Sequence, residues 1–158
     1  MSSHPGFPGS TLFFDGLPDA VVVHQLLING GVVSIDQWHS PSLFSVGAGK
    51  GDFPPFIIDK VLMPMHAKGR ILAWVADFSG ARNGAVYQQD TLDKIHHVVF
   101  PAFAKYVKHF IVVYPVTTLK SMLWKQVDGF RTGLEKVGIT PHFANSPEEA
   151  MAIIRGLK

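Results

Sequence analysis

The stretch RILAWVADF at residues 70–78 and the stretch HFIVVYP at 109–115 are two short apolar runs of strand length. Residues 87–107, which lie between them, carry apolar side chains at intervals of three and four, as an amphipathic helix does. The alternation continues with a predicted helix, strand and helix at 119–137, 140–144 and 146–157. Strands separated by helices of this length indicate a parallel sheet wrapped by helices, because a parallel crossover needs a dozen or more residues.

The N-terminal half adds an antiparallel hairpin. Residues 20–28 (AVVVHQLLI) and 31–35 (GVVSI) are β-rich runs, and Asn29-Gly30 between them tolerates the positive φ angles of a tight turn. A Ser-, Gly- and Pro-rich loop is expected at 39–55, followed by a helix at 56–67 that Pro64 kinks or shortens. The whole pattern predicts an α/β fold with a mixed, mostly parallel sheet of about five strands, opened by the hairpin, and about four helices.

Proline and serine mark irregularities and ends in the predicted helices. Pro101 lies inside the apolar stripe of the 87–107 helix, so a kink is expected near Val98. Ser146 precedes Pro147 and lies three residues before Glu149, which is typical of a capped helix start with a capping box. The last helix should therefore begin immediately after Ser146.

Length and composition predict one domain. The 158 residues suffice for a single core, and the Pro/Gly/Ser-rich start predicts a flexible tail at 1–11 before one domain at 12–158. The formal charge is only +2 and no block of Lys and Arg occurs, so we expect no nucleic-acid surface. Charged residues make up 16% of the chain, against about 25% in typical domains. This low charged fraction predicts a homodimer interface or an apolar ligand cavity, and a monomer with a slightly apolar surface is the alternative.

No segment approaches the roughly 20 consecutive apolar residues that a membrane helix needs, and residues 1–10 lack the pattern of a signal peptide. The chain contains no cysteine, which is compatible with a reducing compartment and excludes disulfides and thiolate chemistry. We therefore expect a cytoplasmic protein without a membrane span.

Motifs of catalysis and metal binding are absent from the sequence. Eight histidines include no His-x₃-His pair, and His96 and His97 are adjacent, about 100° apart on a helix. The stretch GAGKG at 47–51 lacks the spacing of a phosphate-binding loop, and no G-x-S-x-G elbow accompanies Asp77 and Ser79. We expect no catalytic residue, no metal site and no cofactor, and hence a protein that is not an enzyme.

Three stretches carry a resemblance to a known family. They are DFSG at 77–80, where a strand ends, the aliphatic strand at 110–114, and FANSPEEA at 143–150. Together with the hairpin and the three following βα units, they make residues 12–158 resemble the STAS superfamily, and within it the SpoIIAA-like branch. The resemblance implies a non-enzymatic regulatory or protein-interaction module. Anti-sigma-factor antagonists of this superfamily carry a phosphorylated serine at the start of the helix after the third strand, whereas residues 81–87 here contain no serine or threonine.

The binding face of such a module is expected at the carboxyl end of the parallel strands, where open α/β sheets place their crevices. The candidate residues there are Asp77, Ser79, Arg82, Tyr87 and Thr117. A carrier of a small apolar ligand is the alternative function, and an enzyme acting on a small metabolite is a third. The walls of the carrier's pocket would be Trp38, Phe44, Phe53, Phe56 and Trp124.

Overall fold

The computed structural model describes residues 10–12, 21–38, 58–80, 89–115 and 122–157. Six strands in these residues form one sheet whose strand order follows the chain. They are β1 (Ser10–Leu12), β2 (Val21–Ile28), β3 (Gly31–Trp38), β4 (Ile71–Asp77), β5 (His109–Val113) and β6 (Thr140–Ala144). Strands β1 to β3 pair antiparallel, and β3 to β6 pair parallel. The predicted α/β fold with a mixed, mostly parallel sheet is confirmed.

Strand β1 was not predicted. Its three residues pair with β2, with Thr11 opposite His24, and they span the expected boundary between tail and domain at residue 12. The rest of the predicted tail, at 1–9, lies outside the described residues, as does the predicted loop at 39–55.

The hairpin between β2 and β3 forms at the predicted dipeptide. Asn29 and Gly30 have φ angles of 51° and 77°, and Ile28 pairs with Gly31 across the turn. Positive φ at both central residues matches the right-handed twist of the flanking strands, which is why Asn-Gly is favoured in two-residue hairpins. The turn therefore fixes the register of both strands.

Among the described residues, five helices connect or follow the parallel strands. Helix α1 (residues 58–68) has π geometry over Ile58–Leu62 and α geometry over Met63–Lys68. Helix α2 (residues 89–103) consists of Gln89–Lys94, a π segment at Ile95–Val99, and Phe100–Phe103. The remaining helices are α3 (Met122–Asp128), α4 (Phe130–Lys136) and α5 (Pro147–Arg155).

Two helices differ from the prediction in detail. The irregularity expected near Val98 takes the form of the π segment, because Pro101 lacks the N–H that a regular helix would bond. The helix predicted at 119–137 is divided into α3 and α4 by a turn at Gly129. Buried apolar residues nonetheless continue across this turn, since Val127, Phe130 and Leu134 are all buried.

The sheet has two covered faces. Helices α1 to α4 pack on one face, with Met65, Phe103 and Leu134 in a common core with Trp74 and Val112. We call this the crossover face. Helix α5 alone covers the other face among the described residues, where its buried side chains pack with the alternate residues of β3 to β6. We call this the α5 face.

Helix α5 begins as predicted, at the end of the sheet where β6 ends. The amide of Glu149 donates a hydrogen bond of 3.1 Å to Ser146 Oγ, and the Glu149 carboxylate accepts one of 3.3 Å from the amide of Asn145. Pro147 occupies the first turn, where its missing N–H costs nothing. The parallel strands all end on this side of the sheet, at Trp38, Asp77, Val113 and Ala144. We call it the carboxyl edge.

Candidate functional site

Asp77, a predicted site residue, lies at the carboxyl edge. It is the last residue of β4, it pairs in register with Gln37 of β3, and only 1% of its surface is exposed. Asp77 Oδ1 accepts a hydrogen bond of 2.9 Å from the backbone amide of Ser79, and Asp77 Oδ2 accepts one of 3.2 Å from the side-chain amide of Gln37. The carboxylate thereby closes a turn over its own backbone and ends the strand.

A buried histidine extends this contact to a third strand. His24 of β2 is fully buried, and its Nε2 forms a short hydrogen bond with Gln37 Oε1. Gln37 lies two residues after Ile35, and Asp77 lies two after Val75, so both side chains point to the α5 face. A polar network of His24, Gln37 and Asp77 therefore crosses three strands beneath the Ser79 turn.

A second buried polar side chain, Asp36, also belongs to β3 but points to the opposite face of the sheet from Gln37. Asp36 is 2% exposed, and the side chain of Trp74 donates a hydrogen bond to its carboxyl group. Burial raises the pKa of Asp36 to about 8, against the smaller lowering effect of that hydrogen bond. Among the described residues, Asp36 Oδ1 and Ser34 Oγ have no hydrogen-bond partner. Because Asp36 and Asp77 point to opposite faces, they do not form a pair of catalytic carboxylates.

The carboxyl edge also carries a cluster of aromatic and charged side chains, of which only Trp124 was predicted as a site residue, as a wall of the ligand pocket. Tyr114 follows β5, and its ring stacks on Trp124 of α3 with 4.5 Å between centroids and 8° between planes. Its hydroxyl donates a hydrogen bond of 2.7 Å to Asp128. The guanidinium of Arg131 lies 3.8 Å from Asp128 and 4.0 Å from the centre of the Phe143 ring. We call these five residues the Arg131 cluster.

The Arg131 cluster is partly open to solvent. About half of the Arg131 side chain is exposed, and Tyr114, Trp124 and Phe143 are half-buried. Burial, together with the hydrogen bond to Asp128 and its charge, raises the pKa of Tyr114 to about 12. Tyr114 therefore keeps its proton at neutral pH and acts as a hydrogen-bond donor rather than as a base. Part of this cluster is visible in the sequence. Trp124, Asp128 and Arg131 are spaced four and three residues apart, which places them on one side of a helix.

The structure places only some of the other predicted site residues. Ser79 lies where it was expected, half-buried beside Asp77. Trp124 lies in the Arg131 cluster, stacked on Tyr114. The backbone of Trp38 ends β3 opposite Val21. The remaining predicted residues lie outside the described residues: Arg82, Tyr87, Thr117, Phe44, Phe53 and Phe56.

A surface cleft of about 500 Å³ lies between α2 and α4. Asp93, His96, Thr132 and Lys136 are among its lining residues. The His96 ring packs edge-on against Phe100 and Phe130, and burial, followed by the charge of His97, lowers its pKa. His96 is therefore a neutral, half-buried side chain held by aromatic contacts at neutral pH.

A scan against protein-family models finds no match, and searches of curated proteins and of solved structures find no similar chain. In the described ranges, no three His, Asp or Glu side chains are grouped as ligands of one metal ion. No helix among those residues is long and apolar enough to cross a membrane. The resemblance to STAS domains therefore stays a prediction that the fold is compatible with.

Proposed function

We propose that this protein is a non-enzymatic interaction module of the SpoIIAA-like STAS type, which binds a protein partner through its carboxyl edge. The observation that carries the proposal is the Arg131 cluster. Tyrosine, tryptophan and arginine are the residue types most enriched at the centres of protein interfaces. Here all three lie partly exposed at the edge where open α/β sheets bind their ligands.

The cluster is also held in place before any partner binds. Arg131 is positioned by Asp128, by the Tyr114 hydroxyl at 3.4 Å and by the Phe143 ring. Side chains that are already ordered lose less conformational entropy on binding, which leaves more of the contact energy for affinity. This favours a preformed docking surface over a solvated set of side chains.

The neighbouring strand supplies a second part of the surface. Asp77 pairs in register with Val113, the last residue of β5, so the Ser79 turn and Tyr114 leave the sheet side by side. The buried network of Gln37 and Asp77 fixes the base of that turn. Residues 81–88, with Arg82 and Tyr87, continue the chain directly from it.

The titratable groups of this edge support binding rather than catalysis. Tyr114 holds its proton, since its pKa is raised to about 12. Asp36, which titrates nearer neutrality, is 2% exposed and points to the crossover face, away from Asp77. Within the Arg131 cluster the Tyr114 hydroxyl donates a hydrogen bond to Asp128, and both side chains hold Arg131 in place.

The composition adds two further parts to the proposal. Because only 16% of the residues are charged, part of the surface is apolar. A homodimer would bury such a surface against a second copy of the same chain. The absence of cysteine fits a reducing cytoplasm.

The test is a quantitative affinity capture with purified, tagged protein. Arg131→Ala should weaken binding of the captured partner, measured afterwards with the purified pair, by about thirtyfold, which corresponds to the loss of about 2 kcal/mol at an interface hot spot. The matched control is Arg155→Ala, an exposed arginine at the far end of α5 from the carboxyl edge. The double change Arg82→Ala and Tyr87→Ala should weaken the same partner, with folding unchanged by circular dichroism.

Two results would count against this function. Equal affinities for Arg131→Ala and Arg155→Ala would show that the carboxyl edge is not the docking surface. Native mass spectrometry that finds a monomer with a copurified apolar molecule would favour the carrier function instead.

A further inference from the structure

Two histidines that are far apart in the sequence meet on the sheet. His109 is the first residue of β5, and His142 of β6 pairs in register with Ile111, two residues further along β5. Residues two apart on a strand share a face, so both rings lie on the same face of the sheet. His109 Nδ1 and His142 Nε2 are 3.0 Å apart, and both side chains are half-buried.

The separation of the two nitrogens suits ligands of one metal ion. With metal–nitrogen bonds of about 2.0–2.1 Å, two nitrogens on one ion are roughly 2.9 Å apart at a right angle and roughly 3.3 Å apart in a tetrahedron. The observed 3.0 Å lies between these values. The ring planes are inclined by 41°. To bind one ion, each ring must rotate about its Cβ–Cγ bond until both lone pairs point to a common position.

The two facing nitrogens form a hydrogen bond with each other. Neutral imidazole nitrogen is the form that binds metal ions. A single proton lies between the facing nitrogens, and it belongs to whichever ring donates the hydrogen bond.

We propose that His109 and His142 form a cross-strand chelate for a divalent transition-metal ion of the zinc and copper class. Imidazole nitrogen is a preferred ligand for these ions, and water completes the coordination sphere. On binding, the donating ring moves its proton to its other nitrogen, so each ring keeps one proton and none is released. With two protein ligands and open positions, the site holds an exchangeable ion rather than a structural one.

This site is independent of the carboxyl edge. The chelate uses the first residue of β5 and the third residue of β6, whereas the proposed docking surface follows the last residues of those strands. No local motif marks the pair, because 33 residues separate the two histidines and only the parallel pairing of β5 and β6 brings them together.

Calorimetric titration of the full chain with Zn²⁺ alone and with Cu²⁺ alone, near pH 7.5 in a weakly coordinating buffer, tests the proposal. We expect one site per chain that requires both rings. His109→Asn and His142→Asn should each weaken it at least about tenfold, since loss of even an outer-shell partner costs 10- to 100-fold. His97→Asn, which removes an exposed histidine of α2, is the matched control and should bind like the wild type.

A second measurement on the wild-type protein does not depend on how the variants fold. Substoichiometric Cu²⁺ should broaden the ring and amide NMR signals of His109 and His142 before those of other histidines. Broadening that begins at other histidines, or affinities that are unchanged in both pair variants, would place the ion elsewhere and overturn the proposal. A wild-type protein that binds neither ion would overturn it as well.

Discussion

Gln37 donates its side-chain amide to Asp77 Oδ2 at 3.2 Å, and so joins two parallel strands at the point where both approach the carboxyl edge. The two residues are paired in register, both are almost fully buried, and His24 contacts the other end of the Gln37 amide. A buried polar group costs free energy unless it is paired. This contact therefore ties the end of β3 to the turn that follows β4.

The first prediction concerns the acceptor of this network. Asp77→Ala removes the partner of both Gln37 and the Ser79 amide, and should lower the free energy of unfolding by about 2–4 kcal/mol. Asp77→Asn should cost less, because its oxygen can still accept from the Ser79 amide while Gln37 reverses its own amide. Urea unfolding midpoints measure both effects.

Asp59→Ala is the control for this comparison, since Asp59 is exposed in the first turn of α1 and should be nearly silent. Asp77→Ala and Asp59→Ala with the same midpoint would show that the network contributes nothing to stability.

Local patterns in the sequence were enough to predict most of the fold. The Asn29-Gly30 turn and the Ser146 cap each depend on residues within a few positions of one another, and both form as expected. The predicted end of β3 at Ile35 was early, because Asp36 and Gln37 are polar and resemble the end of a strand. Pairing with β4 continues through Gln37 and buries both side chains.

The candidate site could be predicted only in part. Asp77 was chosen from its place at the end of a strand, but its partner Gln37 lies 40 residues away on β3. His24, the partner of Gln37, lies on β2, another 13 residues away. Such contacts depend on strand order and register, which no local pattern contains. The helical spacing of Trp124 and Arg131 was visible, but it gains meaning only once Tyr114 is known to lie against it.

The second prediction concerns the core beneath α4. Phe130 is 2% exposed and contacts the rings of Phe78, His96 and Phe100. Phe130→Ala should therefore lower the free energy of unfolding by about 3–5 kcal/mol, the usual cost of a large cavity. The exposed Lys136→Ala on the same helix should leave the urea midpoint unchanged. A small effect of Phe130→Ala would mean that this stripe does not support the fold.

The third prediction concerns a glycine at a helix position where alanine is ordinarily the more stable residue. Gly133 lies within α4, where alanine is favoured over glycine by about 1 kcal/mol. A Cβ at this position would overlap the His96 ring and lie 3.3 Å from Phe100. Since overpacking typically costs about 1–3 kcal/mol, Gly133→Ala should have a net destabilising effect.

A double-mutant cycle identifies the cause of that effect. In a His96→Ala background the overlap is removed, so Gly133→Ala should become neutral or stabilising. Gly156→Ala is the control, since its added Cβ would meet its nearest atom at an ordinary 3.5 Å. Destabilisation of the same size in both backgrounds would exclude the His96 ring as the reason for glycine.

The last prediction concerns pH. Burial raises the pKa of Asp36 from 3.8 to about 8, so between these values the folded protein holds a proton that the unfolded chain has lost. The contribution of Asp36 to the free energy of unfolding is therefore largest below pH 3.8, the pKa of this carboxyl group in the unfolded chain. It decreases by about 1.4 kcal/mol per pH unit as the pH rises toward 8. Asp36→Asn is neutral at every pH and can still accept from Trp74. Its free energy of unfolding should therefore increase relative to the wild type from pH 5 to pH 8.

The comparison must be made as a difference, because other groups titrate in the same range. His96, His109 and His142 have lowered pKa values in the folded protein. Their contribution to stability therefore decreases as the pH falls, which is opposite to the effect of Asp36. Subtracting the wild-type curve from the Asp36→Asn curve cancels them, provided that they do not contact Asp36. Urea unfolding at pH 5, 6.5 and 8 supplies the curves, with the exposed Asp59→Asn as control. Parallel curves for the wild type and Asp36→Asn would show that Asp36 titrates at the same pH in the folded and unfolded chain.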